Sequence, residues 1–509
     1  MAEVRLTKLK DVLLCCLSGG MLTAGFPLLQ LPGVTWLALI PMFFALRGKS
    51  RNQAFYLGYI AGLVHYLTTL YWIRNVIHQY GNLPLVLAYL VLVLLCGYLA
   101  LYPACFALLA NHLENHPRLW VWVLPAGWVC LEWIRAYAVT GFPWANLGYT
   151  QTPFLHLIQV ADITGVFGVS WLLVLANTCI GRCLIERRLH WNLLVFAACG
   201  AIFLVYGAQR LQTVEQMQER AHPWRVGIVQ GNIDQARKWD PAYQQETLER
   251  YHELSLTAAD SLPTPDLLVW PETATPFFYG FDPGLTQELQ EIIRESGVPL
   301  LFGSPGAGMV AGKPRLFNKA YLVDINGDLL GDYAKQHLVP FGEYVPLQKL
   351  LFFVHRLVEA AGDLAAGENQ QPMVFKHHRF GVLICYEAIF PDLARSAVKN
   401  GATALFNLTN DAWFGNTGAP YQHLEMARWR AIEFRVPLVR CANTGISATF
   451  EASGRRKELL PLNEAGFLSS DVHPLQVQTF YAAWGDVFAW LCVLVTVVGL
   501  GLTIHRGKR

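Results

Sequence analysis

The sequence predicts a polytopic α-helical membrane domain of about eight transmembrane helices, joined to one exported α/β domain. Three observations predict it. The 509 residues are 53% hydrophobic and only 15% charged, with a mean hydropathy of +0.31, whereas soluble domains carry roughly 25% charged residues. The charge is also uneven: residues 220–473 hold 23 Lys+Arg against 28 Asp+Glu, a net of −5, and the remainder holds 16 against 9, a net of +7. Finally, the 220–473 stretch alternates short β-branched runs with helical patterns, as an α/β layer fold does. This pattern excludes a nucleic-acid binder with a basic face, an all-soluble repeat protein and a disordered chain.

About 20 apolar residues are needed to cross ~30 Å of hydrocarbon. Runs of that kind lie at 12–28, 31–46, 53–73, 84–111, 119–136, 164–182 and 190–207, with a last one at 484–504. The second is short. Gly19, Gly20 and Pro27 interrupt the first, and another apolar run follows at once, so it does not read as a cleavable signal peptide. The expected organisation is a seven-helix domain over 1–210, an exported α/β domain over 220–473, a final helix at 484–504 and a basic tail at 505–509. Orientation follows from short-loop Lys and Arg. Arg5, Lys8 and Lys10, then Arg47, Lys49 and Arg51, then Arg118, then Arg182, Arg187 and Arg188, then Arg506, Lys508 and Arg509 fall in alternate loops and at both ends. Both termini are therefore expected in the cytoplasm and the 220–473 domain on the far side.

Within that domain the candidate strands are Arg225–Gln230, Leu267–Trp270, Pro299–Phe302, Lys319–Val323, Phe380–Ile384, Ala402–Asn407 and Leu438–Cys441. Candidate helices cover 241–259, 285–297, 391–399 and 421–434, and Asn326-Gly327 and Ser453-Gly454 read as hairpin turns. Of eleven cysteines only Cys385 and Cys441 fall here, too few for a disulfide scaffold, which leaves a single bridge between them open.

Ligands of α/β sheets bind beyond the carboxyl ends of strands. Glu272, Cys385 and Asn410 each sit just past a strand end. A thiol is mostly protonated at neutral pH and needs a base or a cation to become a nucleophile. No histidine is convincingly placed for this; His337 lies two residues after Lys335. Glu272 can take the proton instead, Lys335 can face an oxyanion, and Glu343 can hold Lys335 or support the base. Taken singly each residue has a plainer reading. A cysteine ending an apolar strand is usually a small core residue, a lone lysine is usually solvated, and Tyr386 and Trp413 are more often packing than recognition. No zinc-like ligand spacing is present, so no metal or organic cofactor is expected.

Together the motifs say more. Trp-Pro-Glu272, then Lys335 with His-Leu-Val-Pro-Phe-Gly-Glu343, then Cys385-Tyr-Glu, in that order on an α/β pattern, resembles the nitrilase (carbon–nitrogen hydrolase) superfamily. The resemblance implies a four-layer α-β-β-α sandwich with Glu272 as general base, Lys335 as stabilising cation, Cys385 as nucleophile and Glu343 as a second glutamate. With seven spans before it and one after, the whole chain resembles the apolipoprotein N-acyltransferases of Gram-negative bacteria. Gln230-Gly231-Asn232, Trp239, Asn318, Tyr386-Glu387, Asn410 to Gly415 and Thr140 to Trp144 carry that resemblance. It implies acyl transfer from a phospholipid, typically phosphatidylethanolamine, through an acyl-cysteine thioester to the N-terminal amine of a diacylglyceryl-cysteine lipoprotein. It also implies a monomer in the bacterial inner membrane with a periplasmic catalytic domain, and Glu387, Asn410, Trp239, Asn318, Tyr386 and Trp413 as supporting residues.

Two aromatic-rich stretches, 275–281 and 347–361, read either as arms dipping into the bilayer surface or as packing over the core. The rival to acyl transfer is a membrane-tethered amidase hydrolysing a small C–N substrate, which would share the triad. A transporter or scaffold whose exported domain only binds is the other; intramembrane charges mark transport pathways, and the spans hold few, notably Glu132.

Overall fold

The computed structural model describes residues 8–81, 83–310, 312–344, 364–368 and 371–506. The chain divides into two compact units, one formed by Met1–Arg74, Pro84–Leu211 and Trp484–Arg509, the other by Asn75–Leu83 and Gln212–Ala483.

The first unit is helical. Its main helices are Leu9–Ala24, Arg51–Thr69, Leu85–Leu113, Pro117–Tyr137, Val166–Glu186 and Val487–Arg506, and Asn192–Arg220 begins in it. Among the described residues three helices are long and apolar enough to cross a membrane: Leu85–Leu113, Val166–Glu186 and Asn192–Arg220. Small residues let helices approach closely. A Cβ on Gly58 would lie 2.6 Å from the Pro103 carbonyl oxygen, and one on Gly62 would lie 2.9 Å from Ala100 Cα. The 31–46 run is not one continuous helix. It folds as two short helices, Pro32–Thr35 and Ile40–Leu46. The break frees backbone groups that buried side chains then satisfy, as apolar surroundings require. Asn177 accepts from Leu39 N–H at 2.8 Å and donates to the Thr35 carbonyl at 2.9 Å, while Ser18 accepts from Met42 N–H at 2.9 Å.

The second unit holds twelve strands among its described residues: β1 Trp224–Gln230, β2 Leu267–Val269, β3 Leu300–Val310, β4 Lys313–Val323, β5 Leu329–Ala334, β6 Met373–Phe375, β7 His378–Ile384, β8 Ala404–Thr409, β9 Leu438–Ala442, β10 Ser447–Phe450, β11 Arg456–Leu460 and β12 Gly466–Val472. They form two six-stranded sheets, ordered β12-β1-β2-β3-β4-β5 and β11-β10-β9-β8-β7-β6. Each has three parallel strands at its centre, β1-β2-β3 and β7-β8-β9, with antiparallel strands outside.

Three separate cores define the layers. Val226, Ile228, Val269, Leu301, Val382, Ile384, Phe406, Val439 and Cys441 pack sheet on sheet. Helices Gln244–Ala259 and Pro283–Ser296 bury Leu248, Tyr251, Leu289 and Ile293 against the outer face of the first sheet. Helices Pro391–Lys399 and Ala419–Phe434 bury Ala394, Leu424, Ala427 and Phe434 against the second. The result is α-β-β-α. The central strands are buried on both faces, which is why they read as continuous apolar runs. Both expected turns are present, Asn326-Gly327 between β4 and β5 and Ser453-Gly454 between β10 and β11.

Two alternatives left open by the sequence are decided by the packing. Cys385 and Cys441 are both free thiols. Cys441 lies between the sheets, where Sγ donates to the Val229 and Val269 carbonyls at 3.4 and 3.3 Å. The 275–281 stretch is core packing: Phe277 and Tyr279 are buried, Tyr279 meets Phe302 and Tyr321 at centroid distances of 5.1 and 5.2 Å, and of its aromatics only Phe281 is exposed. The 347–361 stretch lies outside the described residues.

Candidate active site

The two parallel centres point their carboxyl ends the same way, and the polar residues past those ends converge. Glu272 follows β2, Lys335 follows β5, Cys385 follows β7 and Asn410 follows β8. All four are buried. Glu272 Oε1 accepts from Asn318 Nδ2 at 2.8 Å and faces Lys335 Nζ at 3.4 Å, while Oε2 accepts from the Asn410 backbone N–H at 2.8 Å. Lys335 Nζ lies 2.9 Å from Glu343 Oε1, and Asn318 Nδ2 reaches the same oxygen at 3.2 Å. Glu343 Oε2 accepts from Val339 N–H at 2.8 Å, which fixes its orientation. Glu343 therefore holds Lys335, one of the two roles open to it from sequence.

The electrostatics follow from this packing. Burial pulls the Lys335 ammonium's pKa down, but the Glu343 and Glu272 carboxylates outweigh it and hold the pKa well above that of an ordinary lysine. Burial pushes the Cys385 thiol well up; Glu272 adds to the shift and Lys335 opposes it. The thiol is thus a protonated reservoir beside a carboxylate and a fixed cation, and it needs base catalysis to react.

Cys385 is held in a left-handed conformation, φ +52°, which costs a non-glycine residue energy and persists only where its surroundings impose it. Two networks impose it. Glu387 folds back under the turn: its carboxylate accepts from Ile384 N–H at 2.7 Å, Gln336 N–H at 2.6 Å, His337 N–H at 3.1 Å and the Tyr333 hydroxyl at 3.0 Å, tying the Cys385 turn to the Lys335 segment. Burial raises the Glu387 carboxyl to about 7 in spite of those donors and of Lys335. Below the turn, His423 Nε2 lies 3.1 Å from the Cys385 carbonyl, and its Nδ1 lies 3.0 Å from Asp411 Oδ1 and 3.1 Å from Arg440 Nη2. Burial and the Arg440 charge lower the His423 pKa, with Asp411 and the Cys385 carbonyl opposing them. Asn407 Nδ2 also reaches the Cys385 carbonyl, at 3.4 Å, and its oxygen is bound by Arg440.

Arg440 and Asp411 form a fully buried pair, 2.6 Å apart. Burial raises the Asp411 carboxyl, but the Arg440 and His423 charges win and hold it near 2. Its folded pKa lies below its unfolded value of about 3.9. The stability it contributes is therefore present above that value and lost as pH falls toward 2. Asp411→Asn leaves Arg440 buried without its counter-ion, so the melting temperature at pH 7 falls by an amount equivalent to about 3–5 kcal/mol. Between pH about 4 and 2 the parent protein also loses melting temperature more steeply than the variant. Thermal melts in detergent across pH measure both.

The remaining expected residues occupy different settings. Asn410 Nδ2 donates to Gln235 Oε1 at 2.6 Å, and Oδ1 accepts from Asn443 Nδ2 at 3.2 Å. Tyr386 packs edge-on to Phe390 at 5.0 Å, and His337 stacks on Phe390 at 3.8 Å. Trp239 is half exposed. Trp413 meets Tyr80 edge-on at 4.8 Å, and the Tyr80 hydroxyl donates to the Ala412 carbonyl at 3.1 Å. Sequence reasoning missed Lys238, Tyr333, Asn407, His423 and Arg440. Charged or polar residues inside an apolar strand, as in Leu-Val-Arg440-Cys, were the available signal.

A sandwich with a thiol, a carboxylate and an ammonium gathered past its strand ends is of the carbon–nitrogen hydrolase class, and the sequence model described as Carbon-nitrogen hydrolase matches residues 225–481. A second, described as Apolipoprotein N-acyltransferase N-terminal domain, matches residues 18–179. The chain belongs to the apolipoprotein N-acyltransferase family. It is 41% identical over 504 residues to a relative of that name from Geobacter metallireducens, covering 98% of this chain and 96% of the relative. It is 33% identical to one from Methylococcus capsulatus, covering 98% and 97%. Among solved structures it is similar to Saccharomyces cerevisiae Nit3, a member of branch 10 of the nitrilase superfamily, at TM-score 0.40 and 20% identity, covering 52% of this chain and 94% of that one.

Proposed function

We propose that this protein is an acyltransferase that moves an acyl chain from a phospholipid, with phosphatidylethanolamine as the donor, to the N-terminal amine of diacylglyceryl-cysteine lipoproteins. The observation that carries the reading is the gathering of Glu272 and Lys335 beside Cys385, with Glu343 on Lys335, in a chain whose two halves both match this family.

The reaction is ping-pong. Glu272 takes the thiol proton as Cys385 Sγ attacks the ester carbonyl, and Lys335 faces the oxyanion. Collapse breaks the C–O bond, Glu272 returns its proton to the leaving alkoxide, and the lysophospholipid departs from a thioester on Cys385. The lipoprotein amine then attacks, Glu272 accepts its proton, and the C–S bond breaks to regenerate the thiol. A thioester is activated toward amines, and a dry site limits its hydrolysis. Eight helices span the bacterial inner membrane, seven within 1–210 and one at 484–504. Both termini are cytoplasmic, residues 220–473 work as a monomer on the periplasmic side, and the basic loops of the helical half set that orientation.

The test uses the full chain in mixed micelles, phosphatidylethanolamine with a labelled acyl chain and a diacylglyceryl-cysteine peptide with a free amine. Label appears on the peptide as an amide and, without peptide, on the protein as a hydroxylamine-sensitive adduct. Release of free fatty acid alone, or hydrolysis of a small amide with no need for phospholipid, points instead to a tethered amidase.

A further inference from the structure

Outside the groups that this reaction uses, the turn after β1 carries a second buried lysine. Lys238 is 1% exposed, and among the described residues it has no carboxylate within ion-pair distance. Its Nζ donates to Thr273 Oγ1 at 2.8 Å and to the backbone carbonyl of Glu272 at 3.3 Å, and it lies 6.0 Å from the centroid of the Trp239 ring. Burial lowers its pKa to about 8, with the Glu272 charge opposing. Burying an ammonium without a carboxylate is costly, so its two neutral acceptors call for an explanation.

They lie on a strained turn. Thr273 has φ +45°, and a β-branched residue in the left-handed region is a genuine outlier. The turn is hemmed in from the other side as well: a Cβ on Gly303 would lie 2.4 Å from Thr273 N and 2.6 Å from the Pro271 carbonyl oxygen. Relaxing Thr273 toward negative φ would swing the adjoining Glu272 carboxylate away from Asn318 and Asn410.

We propose that Lys238 is a positioning residue that clamps the strained Glu272–Thr273 turn through the Thr273 hydroxyl and the Glu272 carbonyl, and so aims the Glu272 carboxylate at the Cys385 thiol. The inference rests on the reading of Glu272 as the base. Lys238 touches neither reacting atom, so its effect falls on the acylation rate constant and leaves phospholipid affinity alone.

The test is single-turnover acylation of the full chain by labelled phosphatidylethanolamine. Lys238→Met lowers the acylation rate constant roughly 10- to 100-fold, the range one relaxed backbone strain spans, with KM for phospholipid unchanged. Thr273→Gly placed in the Lys238→Met background restores most of that rate, because glycine holds positive φ without strain and needs no clamp. Thr273→Val keeps the side-chain shape without the acceptor and on its own slows acylation; it serves if Lys238→Met does not fold. A parent-like rate in Lys238→Met or in Thr273→Val, a loss carried by KM, or no rescue by Thr273→Gly overturns the clamp. Cys385→Ala run alongside separates the two levels. An adduct persisting there defeats the nucleophile reading itself, whereas parent-like Lys238→Met beside a dead Cys385→Ala defeats only the clamp.

Discussion

Replacing Cys385 by alanine abolishes the acyl adduct and, with it, N-acylation of the lipoprotein acceptor, a loss of roughly four or more orders of magnitude by analogy with other enzymes stripped of their nucleophile. The size of the effect follows from how much of the site serves one atom. The Glu387 and His423–Arg440 networks hold the Cys385 turn at φ +52°, and Glu272 and Lys335 act on its thiol. Alanine adopts the same backbone at the same strain and deletes only sulfur, which costs stability on the order of 1 kcal/mol. Cys385→Ser keeps a hydroxyl far less acidic than the thiol and forms at most traces of ester. Intact-mass spectra after incubation with phosphatidylethanolamine read the adduct, and a melt confirms the fold. A folded Cys385→Ala protein that still gains one acyl chain would falsify the nucleophile assignment.

How much of this was legible in the sequence depended on whether the signal was local. The central strands β1, β2, β3, β7, β8 and β9 are buried on both faces, so Arg225–Gln230 or Phe380–Ile384 stand out as apolar runs. Strand β11 does not: Arg456–Leu460 reads Arg-Lys-Glu-Leu-Leu, its first four residues are exposed, and only ladder hydrogen bonds to β10 make it a strand. The same divide runs through the site. Glu272, Cys385 and Asn410 end apolar strands, and that position marks them. His423, Arg430 and Glu433 sit in a helix where nothing local marks them, yet Arg430 and Glu433 pair at 2.8 Å with no exposure. Their meaning lies in burial, which only the tertiary packing reveals. The aromatics of 275–281 were ambiguous for the opposite reason. A run rich in rings beside a lipid-using site invites a membrane role, while Phe302 and Tyr321 on the neighbouring strands supply the surface it covers.

Lys335→Met combines two losses that separate experimentally. The first is catalytic: removing a fixed cation from the oxyanion costs about 10²- to 10³-fold in rate, read as single-turnover acylation. The second is structural. Asn318 already bridges Glu272 and Glu343, and without Lys335 two buried carboxylates share that amide with no counter-charge. Breaking such a pair costs about 3–5 kcal/mol at neutral pH. Adding Glu343→Gln removes one of the two charges, so the double variant melts higher than Lys335→Met at pH 7. It stays as slow in acylation, because no cation has returned to the oxyanion. Recovery of the rate together with the melting temperature would mean that Lys335 only holds the carboxylates apart, and the oxyanion would then fall to backbone N–H groups alone.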